Sequence, residues 1–186
     1  MLAIRPLTAA RWKDLETLFG QRGACGWCWC MFWRLARAAF VKQKGDGNRR
    51  AFRRLVRKGV EPGLIAYDGR VPVGWCAIAP RADYPALARS RILRPIDAER
   101  VWSVSCLFVA RPYRRRGVST RLLEAAADHA RRHGARIIEG YPVEPKQEKL
   151  PDAFVWTGLA SAFRHAGFRE VARRSPTRPI MRRESR

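Results

Sequence analysis

The sequence predicts a single mixed α/β domain, and three observations carry that prediction. The chain has 186 residues, enough for one sizeable core and short for two ordinary domains. Its apolar periodicity switches from strand-like to helical and back, with no internal repeat and no low-complexity linker. Glycines stand where the helical stretches stop, and Gly, Pro and Asp punctuate the strand-like ones. The order is strand, two helices, hairpin, strand, helix, strand, helix, strand, strand, which is an α/β or α+β pattern.

Each element has a local reason. Met1–Pro6 alternates apolar and basic residues as a short strand does, and Thr8 is placed to cap a helix. Trp12, Leu15, Leu18 and Phe19 form the stripe of that helix, and Gly20 ends it. Residues 23–33, GACGWCWCMFW, follow no single period, so helix and loop are both open there. KGDGN at 44–48 is a turn cluster, and a second helix carries Phe52, Leu55 and Val56 up to Gly59. GLIAY and VPVGWCAIAP flank Asp68-Gly69, a hairpin signal.

Residues 81–98, with Pro85 and Pro95, read as a connection with one helical turn. Val101–Val109, VWSVSCLFV, is apolar at adjacent as well as alternate positions, the mark of a central strand covered on both faces. Ser119–His133 is the clearest helix, with Leu122, Leu123, Ala126, Ala127 and Ala130 on one stripe and Gly134 past its end. Arg136–Val143 is the next strand, Gly158–His165 a shorter helix closed by Gly167, and Phe168–Arg173 and Arg178–Arg182 two closing strands turned at Pro176.

Charge is the outlying property. Lys and Arg number 38 against 16 Asp and Glu, a net +22, and such a field attracts polyanions. Arginine is scattered along the chain instead of forming one basic arm, so nucleic acid is a possible partner and not the favoured one. No apolar run reaches the roughly 20 residues of a membrane span, so no membrane partner is expected. No apolar h-region follows Met1–Pro6, which places the chain in the cytoplasm. The five cysteines are read as reduced thiols. Cys25, Cys28 and Cys30 have a spacing that suits zinc, with Cys76 or Cys106 as a fourth ligand. Without a second paired ligand element, and with both distant cysteines in core strands, no metal is expected there.

The most informative stretch is LFVARPYRRRGVSTRLLEAA, Leu107–Ala126: a buried strand, a basic turn with one Gly, and a small-residue helix. A helix start leaves amides unsatisfied and carries partial positive charge, so a turn wrapped over it can cradle phosphate. Gly117 allows close backbone approach, and Arg114, Arg115 and Arg116 add charge. The Walker pattern and the dinucleotide glycine fingerprint are both absent.

This stretch resembles the acetyl-CoA-binding motif of the GCN5-related N-acetyltransferase (GNAT) superfamily: Arg or Gln, two residues, Gly, one residue, then Gly or Ala. Arg114, Gly117 and Ser119 occupy those places, Ser119 being a departure in identity but still small. The preceding LFV with its Pro-Tyr-Arg turn, and AFRHAGF further on, extend the resemblance from residue 1 to about 175. The resemblance implies one acetyltransferase domain over 1–175, with 176–186 a closing strand and basic tail. It implies a mostly antiparallel sheet of six to seven strands with about four helices, splayed between the strands at 101–109 and 136–143.

By the same resemblance, acetyl-CoA is the cosubstrate and an unidentified amine the acceptor, with a homodimer possible. Leu107, Phe108 and Val109 would hold the pantetheine, while Arg114, Arg115, Arg116, Gly117, Val118 and Ser119 would meet the pyrophosphate. The superfamily's usual acid is a Tyr four residues before the Gly of the last helix, where this chain has Phe163. Tyr141 is the replacement we expect, and Glu139, a carboxylate inside an apolar strand, is the expected base. Glu144 or a water held by Ser103 or Ser105 are alternatives. Trp27, Trp29 and Trp33 fall where the superfamily builds one wall of the acceptor pocket, with core packing the competing reading. The three histidines, His129, His133 and His165, are expected on solvated helix faces. A basic nucleic-acid-binding protein and a CoA-binding regulatory module are the rival functions.

Overall fold

The structure, a computed structural model, describes residues 2–145 and 154–184; the last two residues of the expected basic tail lie outside them. The chain forms β1 (Leu2–Pro6), α1 (Trp12–Phe19), α2 (Arg37–Lys42), α3 (Asp46–Arg57), β2 (Gly63–Asp68), β3 (Val71–Pro80) and α4 (Pro85–Ala88). It continues with β4 (Val101–Val109), α5 (Val118–Arg132), β5 (Ile137–Gly140), α6 (Ala160–His165), β6 (Arg169–Arg173) and β7 (Pro179–Glu184). The strands make one seven-stranded sheet in the order β1-β2-β3-β4-β5-β7-β6. Among the seven strands of the described residues, β4 and β5 are the one pair that runs parallel. The strand count is as expected; the described residues hold six α-helices instead of about four, since α2 is too short to write a period into the sequence and α4 is the single turn expected within residues 81–98.

Each face of the sheet has its own core. On one, Leu122, Leu123 and Ala126 of α5 and Phe163 of α6 pack on Ile78, Val104 and Leu107. On the other, Trp12, Phe19, Phe52 and Trp29 pack on Ile65 and Trp75. The central β4 is therefore covered on both sides, which is why its sequence is apolar at adjacent positions. It also carries a bulge: Cys106 lies opposite Ala77 and Val104 opposite Ile78, so Ser105 is an extra residue. The bulge re-aims the second half of β4. A smaller cluster of Tyr84, Leu87, Leu93, Tyr141 and Ile180 seals the end of the sheet under residues 81–98.

Residues 23–33 owe their illegibility to backbone geometry. Ala24, Trp27, Trp29 and Cys30 all have positive φ, in a run of tight turns that no periodicity describes. Gly23 is required there, because a Cβ would sit 2.5 Å from the Trp29 indole nitrogen.

The expected splay is present. Pairing between β4 and β5 ends at Val104 opposite Gly140, while β4 runs on to Val109. β5 stops short of the expected Val143 because Pro142 has no N–H to continue the ladder. Beyond it, Val143 makes one isolated bridge to Leu159.

Candidate active site

The turn between β4 and α5 is built from backbone. Gly117 is the N-cap of α5 in the left-handed region at φ 75°, and no side chain caps the helix start. Space around Gly117 is open: a Cβ there would meet nothing within 4 Å. Arg115 is also left-handed, at φ 60°, and Arg115, Arg116 and Gly117 are exposed. Val118 faces inward and anchors the first turn in the core. Arg114 donates from Nε to the Val109 carbonyl at 3.0 Å, which ties the turn to the end of β4. The Arg116 guanidinium lies over the Tyr113 ring. The result is an exposed helix start with partial positive charge and cations beside it, a shape and charge that fit a pyrophosphate. Ser119, in the first turn of α5, is half-buried.

Along the free edge of β4, the side chain of Leu107 packs toward α5 and that of Phe108 against Phe19, so only backbone is left to meet a ligand. The Leu107 N–H donates to the Trp156 carbonyl at 2.7 Å. Trp156 stacks on Trp33 with centroids 5.8 Å apart and meets Phe32 edge-on. Gly158 follows at φ 89°, where a Cβ would lie 2.6 Å from Leu107 Cδ1. Val143 and Gly158 are joined by a 2.8 Å hydrogen bond from the Val143 N–H. Residues 156–158 thus line the splay at the level of Leu107. The sequence reading missed Trp156; a lone Trp before a short helix carries no motif.

Glu139 and Tyr141 come together in a buried network. Glu139 Oε1 accepts from Arg81 Nη1 at 2.5 Å and from the Tyr141 hydroxyl at 2.7 Å. Its Oε2 accepts from Arg182 Nε at 2.8 Å, and Arg182 forks onto Asp97 at 2.6 and 2.9 Å. The Tyr141 hydroxyl also accepts from Arg81 and meets Ser103 Oγ at 2.8 Å. Glu139 is 1% exposed and Tyr141 0%. Desolvation, then the neighbouring Glu139 charge, pushes the Tyr141 phenol well above its ordinary range. Arg81, Arg182 and Asp97 were not legible as site residues, because arginine is everywhere in this sequence and only the folded register sets these beside Glu139. Glu144 pairs with Arg164 and Arg173, which hold its carboxyl below the usual range.

The structure separates the other expected residues. Trp29 is 3% exposed and belongs to the core with Trp12 and Phe19, so it walls no pocket. Trp27 is 42% exposed beside Gly45, and Trp33 is half-buried against Trp156. Phe163 is buried against Phe168, with Gly140 leaving room for its ring. Burial, then the Cys30 charge, pushes the Cys28 thiol up to about 12, and a hydrogen bond to Cys30, then burial, raises Cys106. His129, expected in solvent, is buried at 2% exposure, because its face of α5 turns onto Trp102.

A mostly antiparallel sheet, splayed beside an uncapped and basic helix start, gives an α/β domain with an exposed cationic turn whose shape fits a phosphate group. Residues 29–149 match the acetyltransferase (GNAT) family, and the chain belongs to that family. None of the curated proteins matches the sequence significantly. Solved structures resemble it over nearly their whole length. The PaiA N-acetyltransferase from Thermoplasma acidophilum, in complex with coenzyme A, aligns at 12% identity and TM-score 0.55, over 100% of this chain and 99% of that one. A ribosomal-protein-alanine N-acetyltransferase from Brucella melitensis aligns at 17% identity and TM-score 0.57, over 98% and 99%. A GNAT-family acetyltransferase from Listeria monocytogenes aligns at 8% identity and TM-score 0.59, over 99% and 95%.

Proposed function

We propose that the protein moves the acetyl group of acetyl-CoA to a primary amine by direct attack in a ternary complex. The observation that carries this reading is the uncapped start of α5 behind Gly117, opening beside the splay of β4 from β5. In this reading the first amides of α5, with Arg115 and Arg116, receive the pyrophosphate. Arg114 braces the turn through the Val109 carbonyl. The backbone of Leu107–Val109 holds the pantetheine arm, and the Trp156 carbonyl yields the Leu107 amide when that arm enters.

Bound acetyl-CoA supplies a thioester carbonyl for the amine to attack. Both oxygens of Glu139 are engaged by Arg81, Arg182 and Tyr141, which makes Glu139 and Tyr141 positioning residues that hold β4, β5 and β7 at the point of splay. The amine proton then passes to water, and the modestly basic CoA thiolate leaves without a dedicated acid. Trp27 and Trp33, partly exposed, are the aromatic surface offered to the acceptor.

The test is a panel of amines with acetyl-CoA, read by thiol release, for the protein and for Tyr141→Phe. Saturable turnover, with Tyr141→Phe keeping kcat within about tenfold and an unchanged pH profile, is the expected result. A drop of about 100-fold with loss of the basic limb would make Tyr141 the acid instead. Acetyl-CoA bound without transfer to any amine would favour the regulatory module.

A further inference from the structure

We propose that His129, His133 and Glu61 form a binding site for a divalent transition ion of the zinc class. The three lie far from the turn that begins α5: His129 and His133 are at its opposite end, along a 15-residue helix of about 22 Å. Their spacing of four residues puts both rings on one helix face, with centroids 4.4 Å apart. Glu61 comes from the connection between α3 and β2 and brings Oε2 to 3.9 Å from His129 Nε2. One ligand atom from each of the three residues falls within 4.8 Å of the other two. Tetrahedral zinc, with bonds of 2.0–2.1 Å, needs its ligand atoms about 3.4 Å apart. The half-exposed Glu61 and the exposed His133 have the freedom to close that difference.

Two further features point to a ligand. His129 is 2% exposed, and its Nε2 has no hydrogen-bond partner among the described residues. A buried ring nitrogen aimed at a carboxylate and a second imidazole, with nothing to bond, is the condition a metal relieves. His133 lies 2.9 Å from the His129 carbonyl through Nδ1, and donating there leaves Nε2 with its lone pair free. That second bond is what orients ligating histidines in metal sites. Trp102 flanks both rings and shields the inner side. Two imidazoles and one carboxylate suit zinc, cobalt or nickel better than magnesium or calcium, and a fourth position faces solvent through His133. The carbonyl end of α5 favours a cation, while Arg132 nearby opposes it. The bound ion would clamp the connection before β2 to the last turn of α5.

The experiment is titration of chelator-treated protein with Co(II) and Zn(II), followed by visible absorption, calorimetry and thermal unfolding, for the parent, His133→Ala and Glu61→Gln. Both substitutions are at exposed or half-exposed positions, so the fold persists. One ion per chain, tetrahedral Co(II) bands without a thiolate charge-transfer band, and a raised Tm are expected in the parent. His133→Ala should weaken binding by at least about 100-fold and Glu61→Gln by at least about tenfold, with acetyl-CoA affinity unchanged in both. Equal affinity in the parent and both variants, a thiolate band, or no saturable binding would overturn the proposal.

Discussion

The two sides of the splay are built on opposite principles. At the start of α5 the notable features are backbone: Gly117 is exposed and left-handed, no side chain caps the helix, and a Cβ at Gly117 would meet nothing within 4 Å. At the root of β5, the polar groups are side chains, and Arg81, Glu139, Tyr141 and Ser103 satisfy one another almost entirely out of water. An open backbone site has unspent donors for a ligand. A closed side-chain network has spent its donors on holding strands in register, and its contribution is to the shape of the gap.

The largest expected effect follows from the closed side. Glu139→Ala leaves Arg81 and Arg182 facing each other without their shared carboxylate, and breaking such a buried pair costs about 3–5 kcal/mol. Urea denaturation should show that loss. A change below about 1 kcal/mol would mean that water reaches the two guanidiniums and the network is not closed.

Phe163→Tyr sharpens the same contrast at smaller cost. Its ring is fully buried, packed against Phe168 and seated beside Gly140. A hydroxyl added there without a partner costs about 1–3 kcal/mol. Urea midpoints measure the cost, and turnover measures whether the hydroxyl reaches the thioester. Unchanged stability with faster turnover would show that the ring borders the open side of the splay.

The contrast between the two sides also governs what the sequence discloses. The elements around the turn were legible because their requirements are local: a central strand, a turn with Gly117, and a small-residue helix lie within twenty residues. Hence β4 and α5 were placed to within a residue. The closed network was half legible. Glu139 and Tyr141 drew attention as polar residues in an apolar strand, but their partners come from residues 81, 103 and 182, brought beside them only by the folded sheet. The same limit divides the tryptophans: Trp27, Trp29 and Trp33 look equivalent in sequence, and a run of positive-φ turns sends one outward, one into the core and one onto Trp156.

A smaller effect concerns His129, a third sealed group, faced by Glu61, His133 and Arg132. Burial, then the His133 and Arg132 charges, lowers its pKa to about 4, below the roughly 6.5 of the unfolded chain. The unfolded state therefore takes up this proton first, so the associated stability is complete above about pH 6.5 and is lost as pH falls toward 4. The carboxylates lowered by arginines, Asp97 and Glu144, lose theirs at lower pH. With chelator present, His129→Gln should flatten the stability profile between pH 6.5 and 4. Parallel profiles for parent and variant would show the ring to be solvated.

The most direct test of the account is calorimetric titration of acetyl-CoA into the protein and into Gly117→Val at moderate salt. Valine at φ 75° strains the turn by about 1–2 kcal/mol and puts a branched side chain where a pyrophosphate must meet backbone. One saturable site per chain is expected in the parent and at least about tenfold weaker binding in the variant, with the urea midpoint lowered by no more than that strain of about 1–2 kcal/mol accounts for. Equal affinity in the two proteins would place the pyrophosphate elsewhere. No saturable binding in the parent, alongside steeply salt-dependent binding of RNA or duplex DNA, would contradict the enzyme reading altogether.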